Sequence, residues 1–420
     1  MDKFVIQGGK RLSGRVEISG AKNASLALMP ACLLASGKST LYNTPKLNDV
    51  YTMVKLLKHL GVESNFENHT LELDTRKIIS QDAPYEHVKK MRASVYVLGP
   101  LLTKFGTAKV SLPGGCAWGP RPINLHLEGL KKLGAEIDLV EGYVVAKTRR
   151  LTGARINFDI SSVGATGNIL MAAVLAKGTT VINNAAMEPE ITNLAELLQK
   201  MGAKIYGAGT STLEIEGVEE LQPAKIETIP DRIEAGTLLI AAAMTGGEIT
   251  LINFPPNLIG SVISKLEDSG CKIKINGSTI SISSAERIIP VDVTTAIYPG
   301  FPTDMQAQWT AYMSVADGTS TVTDTIYLDR FKHVPELERL GANISVNENR
   351  AVIKGVKKLR GAKVMSTDLR ASASLVLAGL AAEGATEVLR VYHLDRGYQK
   401  IEEKLSMLGA DIRREEGSEY

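Results

Sequence analysis

Apolar and polar residues follow a pattern that recurs along the whole chain. A phrase of the form Leu-Gly-Ala, or a near variant, precedes two short segments in which apolar and polar residues alternate. The phrase occurs six times, and its marker glycines are Gly61, Gly134, Gly202, Gly270, Gly341 and Gly409. Successive marker glycines are 73, 68, 68, 71 and 68 residues apart. Such even spacing indicates a repeated structural unit.

Each period contains the same predicted elements. The third period reads as a helix (ATGNILMAAVLAKG), a strand (GTTVINNA), a second helix (ITNLAELLQKMG) and a hairpin (AKIYGAGTSTLEIEG). In the second helix Leu194, Leu197, Leu198 and Met201 follow the i, i+3, i+4, i+7 spacing of an amphipathic helix. The first helix of a unit, as in SASLVLAGLAA, is small and apolar nearly all round, so we expect it to be buried.

Six units divide naturally into three and three, which predicts an α/β protein with two alike domains. The 420 residues also exceed the roughly 250–300 residues at which one core stops growing. We place the N-terminal domain at residues 22–229, and the C-terminal domain at residues 230–420 together with 1–21. The opening strand FVIQGG is a candidate partner for the last hairpin, which is cut short.

Charge and composition exclude several classes of protein. Lys and Arg number 48 against 46 Asp and Glu, a net charge of +2 that offers no general attraction for nucleic acid. The longest apolar stretches fall short of the ~18 residues that span a membrane, and no secretory signal begins the chain, so we predict a cytoplasmic protein. The cysteines and histidines lack metal-binding spacings, and no P-loop or dinucleotide motif occurs. Metal, P-loop and dinucleotide chemistry are therefore disfavoured.

Cations occupy helix starts, where the helix dipole favours acidic residues. In four units the first helix opens with a positively charged residue, and these residues are Lys22, Arg92, Arg232 and Arg370. A second set, Arg121, Arg330 and Arg396, precedes the marker glycines by 13, 11 and 13 residues. A single such residue would be read as a solvated surface charge. The repetition predicts that these cations and helix ends bind a substrate with several negative groups.

Two further residues are candidates for chemistry. Cys116 lies in SLPGGCAWGPRPINL, a predicted loop in which Arg121 would favour the thiolate. A reactive thiol and an incidental loop thiol both fit this pattern. Asp304 lies in FPTDMQAQ, where Thr303 and Gln306 predict a capping box. Asp304 is an available base or a dipole-compensating acid, whereas Asp231 and Asp368 are read as helix caps.

Several runs together resemble a known family. They are ISGAKNAS, MRASVYVLGPLL, SLPGGC, NAAMEPEI, IPDRIEAG, FPTDMQAQ, RFKHVPEL, STDLRASASLVLAGL and YHLDRGY. They are similar to the signatures of the UDP-N-acetylglucosamine 1-carboxyvinyltransferases, a branch of the enolpyruvyl transferases. The resemblance covers essentially the whole chain. It implies a two-domain inside-out α/β barrel of six repeated units, three per domain, with the active site in a cleft between the domains.

The resemblance also implies roles for the candidate residues. The enolpyruvyl group of phosphoenolpyruvate would pass to the 3-hydroxyl of UDP-N-acetylglucosamine, in the first committed step of peptidoglycan precursor synthesis. Lys22, Arg121 and Arg396 would hold the phosphate of phosphoenolpyruvate, and Arg330 and Arg370 its carboxylate, with Asn23 lining the site. Asp304 would contact the sugar hydroxyl as the base. Cys116 would act as proton donor or in product release, and would be alkylated by fosfomycin. No metal or organic cofactor would be needed.

The implied contacts with UDP-N-acetylglucosamine form a third group. They fall on Arg92, Arg121, Pro122, Ile123, Asn124, Leu125, Ser162, Val163, Gly164, Asp304 and Ile326. The chain departs from the family pattern at three of the nearby positions. Asn124 stands where family members usually have Asp, and Asn48 and Ile160 stand where they often have Lys.

Two alternatives share this scaffold. One is the shikimate-pathway enolpyruvyl transferase, against which SLPGGC and RFKHVPEL speak. The other is a non-catalytic paralogue that binds UDP-sugars, which the substitution at Asn124 keeps open.

Overall fold

The computed structural model describes residues 2–89, 91–112 and 123–416. By their contacts the residues divide into two compact units, one of Gly20–Ile229 and the other of Met1–Ser19 with Pro230–Tyr420. We call them the middle unit and the terminal unit. The predicted domain boundaries stay a prediction. Contacts show which residues lie close together, but they do not establish that each unit folds alone.

Numbered along the chain, the described residues form the strands β1 (Lys3–Gln7), β2 (Ser13–Glu17), β3 (Lys38–Tyr42), β4 (Glu63–Glu67), β5 (Thr70–Asp74), β6 (Asp82–Ala83), β7 (Thr107–Ser111), β8 (Glu136–Val140), β9 (Tyr143–Lys147), β10 (Arg155–Asn157), β11 (Thr179–Asn183), β12 (Lys204–Tyr206), β13 (Thr212–Glu216), β14 (Lys225–Glu227), β15 (Glu248–Ile252), β16 (Lys272–Asn276), β17 (Thr279–Ser283), β18 (Val293–Thr294), β19 (Thr319–Thr323), β20 (Asn343–Asn347), β21 (Arg350–Lys354), β22 (Lys363–Met365), β23 (Ala385–Leu389) and β24 (Asp411–Glu415).

The α-helices of the same residues are α1 (Lys22–Ala31), α2 (Asn48–Leu60), α3 (Tyr85–Val88), α4 (Leu98–Phe105), α5 (Asn124–Lys132), α6 (Val163–Ala173), α7 (Pro189–Lys200), α8 (Arg232–Met244), α9 (Gly260–Asp268), α10 (Gln306–Met313), α11 (Val334–Arg339), α12 (Leu369–Ala381) and α13 (Ile401–Met407). Short 3₁₀ helices cover Cys32–Leu34, Arg92–Val97, Pro256–Ile259, Thr303–Met305 and Val391–Arg396.

The strands form six four-stranded sheets of one design. In each sheet a short or edge strand pairs in parallel with the next strand, which continues antiparallel into a hairpin. The middle unit holds the orders β14-β3-β5-β4, β6-β7-β9-β8 and β10-β11-β13-β12. The terminal unit holds the orders β16-β17-β15-β2, β18-β19-β21-β20 and β22-β23-β1-β24. The six repeated units predicted from the spacing of the glycines are therefore confirmed.

The opening strand completes the last sheet of the chain. β1 pairs antiparallel with β23 and with β24, so that Ile6 lies beside Thr386 and Ile412. It occupies the place that a hairpin strand of the same unit fills in the other five sheets. The pairing suggested by the shortened last hairpin is confirmed.

Each unit has its own core, built around the first helix of each repeat. α8 is buried at every residue from Ile233 to Met244, and α12 at every residue from Leu369 to Leu380. α10 packs against α12 in the terminal unit, and α4 packs against α6 in the middle unit. The small apolar residues allow this close packing, and the sheets with their polar strand faces cover the helices. This arrangement confirms the inside-out α/β fold within each unit.

The six marker glycines share one backbone conformation. Their φ angles lie between 92° and 108°, in the left-handed region where a side chain is strained. Each follows the amphipathic helix of its unit and reverses the chain into the hairpin. The repeat is thus visible in the sequence because six turns require the same residue.

Candidate active site

In the terminal unit, one carboxylate holds two buried arginines. Asp304 Oδ1 lies 2.8 Å from Nη2 of Arg330, and Asp304 Oδ2 lies 2.6 Å from Nη2 of Arg370. The side chains of Arg330 and Arg370 are 11% and 5% exposed, and that of Asp304 is 26% exposed. Three predicted site residues, up to 66 residues apart in the chain, therefore form one ion cluster.

Helix starts bring this cluster together. Asp304 lies in the 3₁₀ turn that leads into α10, and Arg370 is the second residue of α12. Asp368 caps α12 by accepting hydrogen bonds from the backbone N–H groups of Arg370 and Ala371. Asp231 caps α8 in the same way, and its charge acts on Arg370. The prediction that both aspartates are helix caps is confirmed.

The charge of Arg370 is held by its surroundings. Burial has the largest single effect and lowers the pKa of Arg370, but the Asp304 carboxylate, together with Tyr398 and Asp231, more than offsets it, so the pKa is raised above its ordinary value. Its Nη1 donates to the hydroxyl of Tyr398 at 3.4 Å. The Tyr398 hydroxyl also accepts from Nε2 of Gln308 and contacts Oγ1 of Thr237 at 3.0 Å. A buried polar network therefore fixes the guanidinium in one orientation.

Thr303 does not form the predicted capping box. Its hydroxyl donates to Oδ2 of Asp324 at 2.7 Å and accepts from Nη1 of Arg330 at 3.0 Å. The 3₁₀ turn that begins at Thr303 has no side-chain cap. The side-chain amide of Gln306 is buried without a hydrogen-bond partner, so it does not complete a capping box. The local capping rule was wrong here because distant partners engage the hydroxyl. The backbone N–H of Ile326, another predicted site residue, also donates to Asp324.

Arg396 lies at the end of the 3₁₀ helix Val391–Arg396 in the terminal unit. The preceding residue, Asp395, accepts two hydrogen bonds from Arg414, at 2.6 and 3.0 Å. Such a bidentate pair has a defined geometry. It anchors the segment that carries Arg396, which is itself half-buried.

In the middle unit, Lys22 begins α1 and lies 3.8 Å from the carboxylate of Asp49 on α2. Both side chains are mostly buried, whereas Asn23 is exposed. The first turn of α1 contains no acidic residue, so the positive charge of Lys22 adds to that of the helix end. This combination suits an anion.

A second group of the middle unit surrounds the start of α6. Ser162 caps α6, its Oγ accepting from the backbone N–H of Ala165. A Cβ at Gly164 would lie 3.0 Å from Nε2 of His126, so only glycine fits without movement. Asn168 donates to Nδ1 of His126, and the charge of Arg92 acts on the same ring. Arg92 and Ser162–Gly164 are thus neighbours through a histidine that the sequence did not single out.

Most of the remaining predicted residues fall in or beside the undescribed stretch 113–122. Cys116, Arg121 and Pro122 lie outside the described residues. Ile123 and Leu125 are partly exposed, and Asn124 is exposed as the first residue of α5. Two of the three departures from the family pattern lie elsewhere: Asn48 begins α2, and Ile160 is 71% exposed.

The last of the cations predicted at helix starts is Arg232. It begins α8, and its guanidinium lies 5.5 Å from the ring centroid of Tyr298.

Within the three described ranges, His, Cys, Asp and Glu side chains form no group of three that could hold a metal ion. The helices described there include none with the length and apolar character needed to cross a membrane.

The buried His126 makes stability depend on pH. Burial and then the charge of Arg92 lower its pKa from 6.5 to about 4, so the folded protein keeps the ring neutral. The unfolded chain binds the extra proton below pH 6.5, and stability therefore falls as the pH drops from 6.5 towards 4. At pH 5 the expected loss is about 2 kcal/mol.

When the pH is lowered from 7.5 to 5, the free energy of unfolding should fall by about 2 kcal/mol less in His126→Asn than in the wild type. Asn keeps an acceptor for Asn168 but does not titrate. Urea unfolding at the two pH values measures this difference. Equal losses in the two proteins would contradict the assignment.

Comparisons with known proteins agree on one family. The family model of EPSP synthase (3-phosphoshikimate 1-carboxyvinyltransferase) matches residues 6–405. The UDP-N-acetylglucosamine 1-carboxyvinyltransferase of Chloroherpeton thalassium is 59% identical, over 100% of this chain and 99% of its own. The protein of the same name from Myxococcus xanthus is 54% identical, over 99% of this chain and 100% of its own.

Solved structures agree as well. The enolpyruvyl transferase NikO from Streptomyces tendae is 26% identical, with a TM-score of 0.89 over 98% of both chains. EPSP synthase from Acinetobacter baumannii has a TM-score of 0.76 at 18% identity, over 99% of this chain and 100% of its own. The second likeness concerns the fold alone.

Proposed function

The chain belongs to the EPSP synthase family of enolpyruvyl transferases, and on that basis we propose that it transfers the enolpyruvyl group of phosphoenolpyruvate to the 3-hydroxyl of UDP-N-acetylglucosamine, releasing phosphate. The observation that carries the proposal is the 54–59% identity, over essentially full length, with relatives named for this reaction. The ion cluster of Asp304, Arg330 and Arg370 supplies chemistry that suits it.

The terminal unit provides a base and a carboxylate site. Two buried guanidiniums are a good match for the carboxylate of phosphoenolpyruvate, since Arg binds carboxylates in a fixed, bidentate geometry. In the structure, Asp304 pairs with both of them. When the substrate carboxylate takes its place, Asp304 is released to accept the proton of the sugar 3-hydroxyl.

The reaction then proceeds by addition and elimination. The 3-hydroxyl oxygen bonds to the central carbon of phosphoenolpyruvate while the methylene carbon gains a proton. In the resulting tetrahedral adduct the former methylene carbon is a methyl group. It loses a proton while the central carbon expels phosphate, and this restores the double bond as a vinyl ether. Lys22, Arg121 and Arg396, with Asn23 beside Lys22, would stabilise the negative charge that moves onto the phosphate.

The nucleotide sugar would bind at the start of α6 and along the segment before α5. Arg92 offers a charge for the diphosphate, and Ser162, Val163 and Gly164 offer a helix start. The other proposed contacts are Arg121, Pro122, Ile123, Asn124, Leu125, Asp304 and Ile326. Asn124 would accept and donate hydrogen bonds where an acidic residue would only accept.

A phosphate-release assay tests the proposal. We expect release when the protein is mixed with phosphoenolpyruvate and UDP-N-acetylglucosamine, and none with shikimate 3-phosphate as acceptor. Release with shikimate 3-phosphate would favour the shikimate-pathway reaction. Binding of the UDP-sugar without any release would favour a non-catalytic paralogue.

Fosfomycin should label Cys116 alone among the three cysteines. Burial raises the pKa of the Cys32 thiol to about 12, and Cys271 is buried beside Tyr312, so neither sulfur is accessible to the reagent. We expect one adduct in the wild type and none in Cys116→Ser, measured by intact-protein mass spectrometry. Persistent labelling of Cys116→Ser would place the reactive thiol elsewhere, and Cys32→Ser serves as the matched control.

The reaction would take place in the cytoplasm, since both substrates are charged and water-soluble. Its product would enter peptidoglycan precursor synthesis, and through the cell wall it would bear on cell shape, division and the cell cycle.

A further inference from the structure

Asp324 is a buried carboxylate that binds its own loop and two other segments of the terminal unit. It is 0% exposed. Its Oδ1 accepts from Oγ1 of Thr295 at 2.8 Å and from the backbone N–H groups of Ile326 and Tyr327, both at 2.9 Å. Its Oδ2 accepts from Oγ1 of Thr303 at 2.7 Å. One side chain thus joins the end of β18, the turn that carries Asp304 and the loop that leads to Arg330.

The hydroxyl of Thr303 links this carboxylate to the ion cluster. A hydroxyl has one proton to donate, and Thr303 gives it to Asp324. Its lone pairs are then left for Nη1 of Arg330, which can only donate. An acceptor on one side and a donor on the other therefore fix the direction of both hydrogen bonds.

Arg330 is consequently held at two nitrogens. Nη1 binds Thr303 at 3.0 Å, and Nη2 binds Asp304 at 2.8 Å. Two anchors fix both the position and the plane of a guanidinium, whereas one would let it rotate about the remaining contact. Thr303 and Asp304 are adjacent in the chain, so the same hydrogen bond to Asp324 also locates the Asp304 backbone.

We propose that Asp324, acting through the hydroxyl of Thr303, is the positioning residue that orients Arg330 for the carboxylate of phosphoenolpyruvate and Asp304 for the sugar hydroxyl. The proposal rests on the proposed function for the identity of these substrates. Neither Thr303 nor Asp324 touches the reacting atoms in this account. Both determine how well the residues that do so are placed.

The first test compares Thr303→Val with Thr303→Ser. Val matches the shape of Thr but removes the hydroxyl, whereas Ser keeps it. We expect Thr303→Val to raise the KM for phosphoenolpyruvate about 10- to 100-fold. The KM for UDP-N-acetylglucosamine should rise much less, since Asp304 is only one of its many proposed contacts. Thr303→Ser should restore the wild-type KM. Simple loss of folded protein would lower kcat at an unchanged KM.

Thr310→Val is the matched control. Thr310 is also buried, and its hydroxyl donates to the carbonyl of Gln306 within the same helix. Its removal should leave the KM for phosphoenolpyruvate unchanged. Asp324→Asn should raise that KM at least as much as Thr303→Val, but the combined variant should be no worse than Asp324→Asn alone, since the two act in series.

A crystal structure of Thr303→Val tests the geometry whether or not the wild type turns over these substrates. We expect the distance between Arg330 Nη2 and Asp304 Oδ1 to exceed about 3.5 Å, the limit of a hydrogen bond. A pair still at 2.8 Å in this variant, or an unchanged KM for phosphoenolpyruvate in the active enzyme, would overturn the proposal. Absence of turnover in the wild type would instead refute the proposed function.

Discussion

Asp304→Asn should tighten the binding of phosphoenolpyruvate while nearly abolishing turnover. Loss of a general base typically costs 10²–10⁴-fold in rate, and an amide cannot accept the proton of the sugar hydroxyl. The same change removes the anion that lies 2.6–2.8 Å from Arg370 and Arg330. Because the substrate carboxylate would no longer compete with Asp304, we expect its affinity to rise about tenfold.

Two measurements on the same variant separate these effects. Isothermal titration calorimetry gives the affinity for phosphoenolpyruvate, with and without UDP-N-acetylglucosamine, and phosphate release gives kcat. Asp317→Asn is the matched control, since Asp317 also pairs with an arginine, Arg287, but at an exposed site. Weaker binding of phosphoenolpyruvate by Asp304→Asn would show that Asp304 supports the arginines rather than competing for them.

Arg396→Ala should impair turnover far more than folding. A cation that meets a phosphate contributes several kcal/mol in a site shielded from water, so we expect kcat/KM to fall at least about 100-fold. The side chain is only half-buried, and its segment is held independently by the bond between Asp395 and Arg414. The free energy of unfolding should therefore change by less than about 1 kcal/mol.

Arg390→Ala is the control for this experiment. Arg390 lies six residues earlier, at the start of the same 3₁₀ helix, and is exposed. It should lose no activity. Phosphate-release kinetics and urea unfolding on both variants give the comparison, and wild-type kcat/KM in Arg396→Ala would remove this residue from the site.

The repeat was predictable because it depends on local requirements that recur. Each of the six turns needs a glycine with positive φ, and each buried helix needs small residues to pack closely. Lys22, Arg92 and Arg232 each begin a helix, and Arg370 is the second residue of one, so their pattern could be read from the sequence.

The partners of the site residues were not predictable in the same way. In the sequence, Asp324 looks like any other acidic residue at the end of a strand. Yet it accepts the hydrogen bond of the Thr303 hydroxyl, which the capping rule assigns to a helix end. His126 was discounted because its spacing suits no metal, although its ring lies under Gly164. In both cases tertiary contacts between distant segments decided the outcome. The shared cleft and the roles of Cys116 and Arg121 stay predictions.

The pairing of β1 with β24 affects how the protein is made. Phe4 and Ile6 are fully buried in the finished sheet, but their partner strand leaves the ribosome about 400 residues later. At about 5–20 residues per second, this is a wait of roughly 20–80 s. The middle unit contains every strand of its own three sheets, so none of those sheets waits for the end of the chain. The nascent chain must therefore keep its first strand from aggregating until synthesis is nearly complete, and a circular permutant that starts at residue 230 would remove the delay.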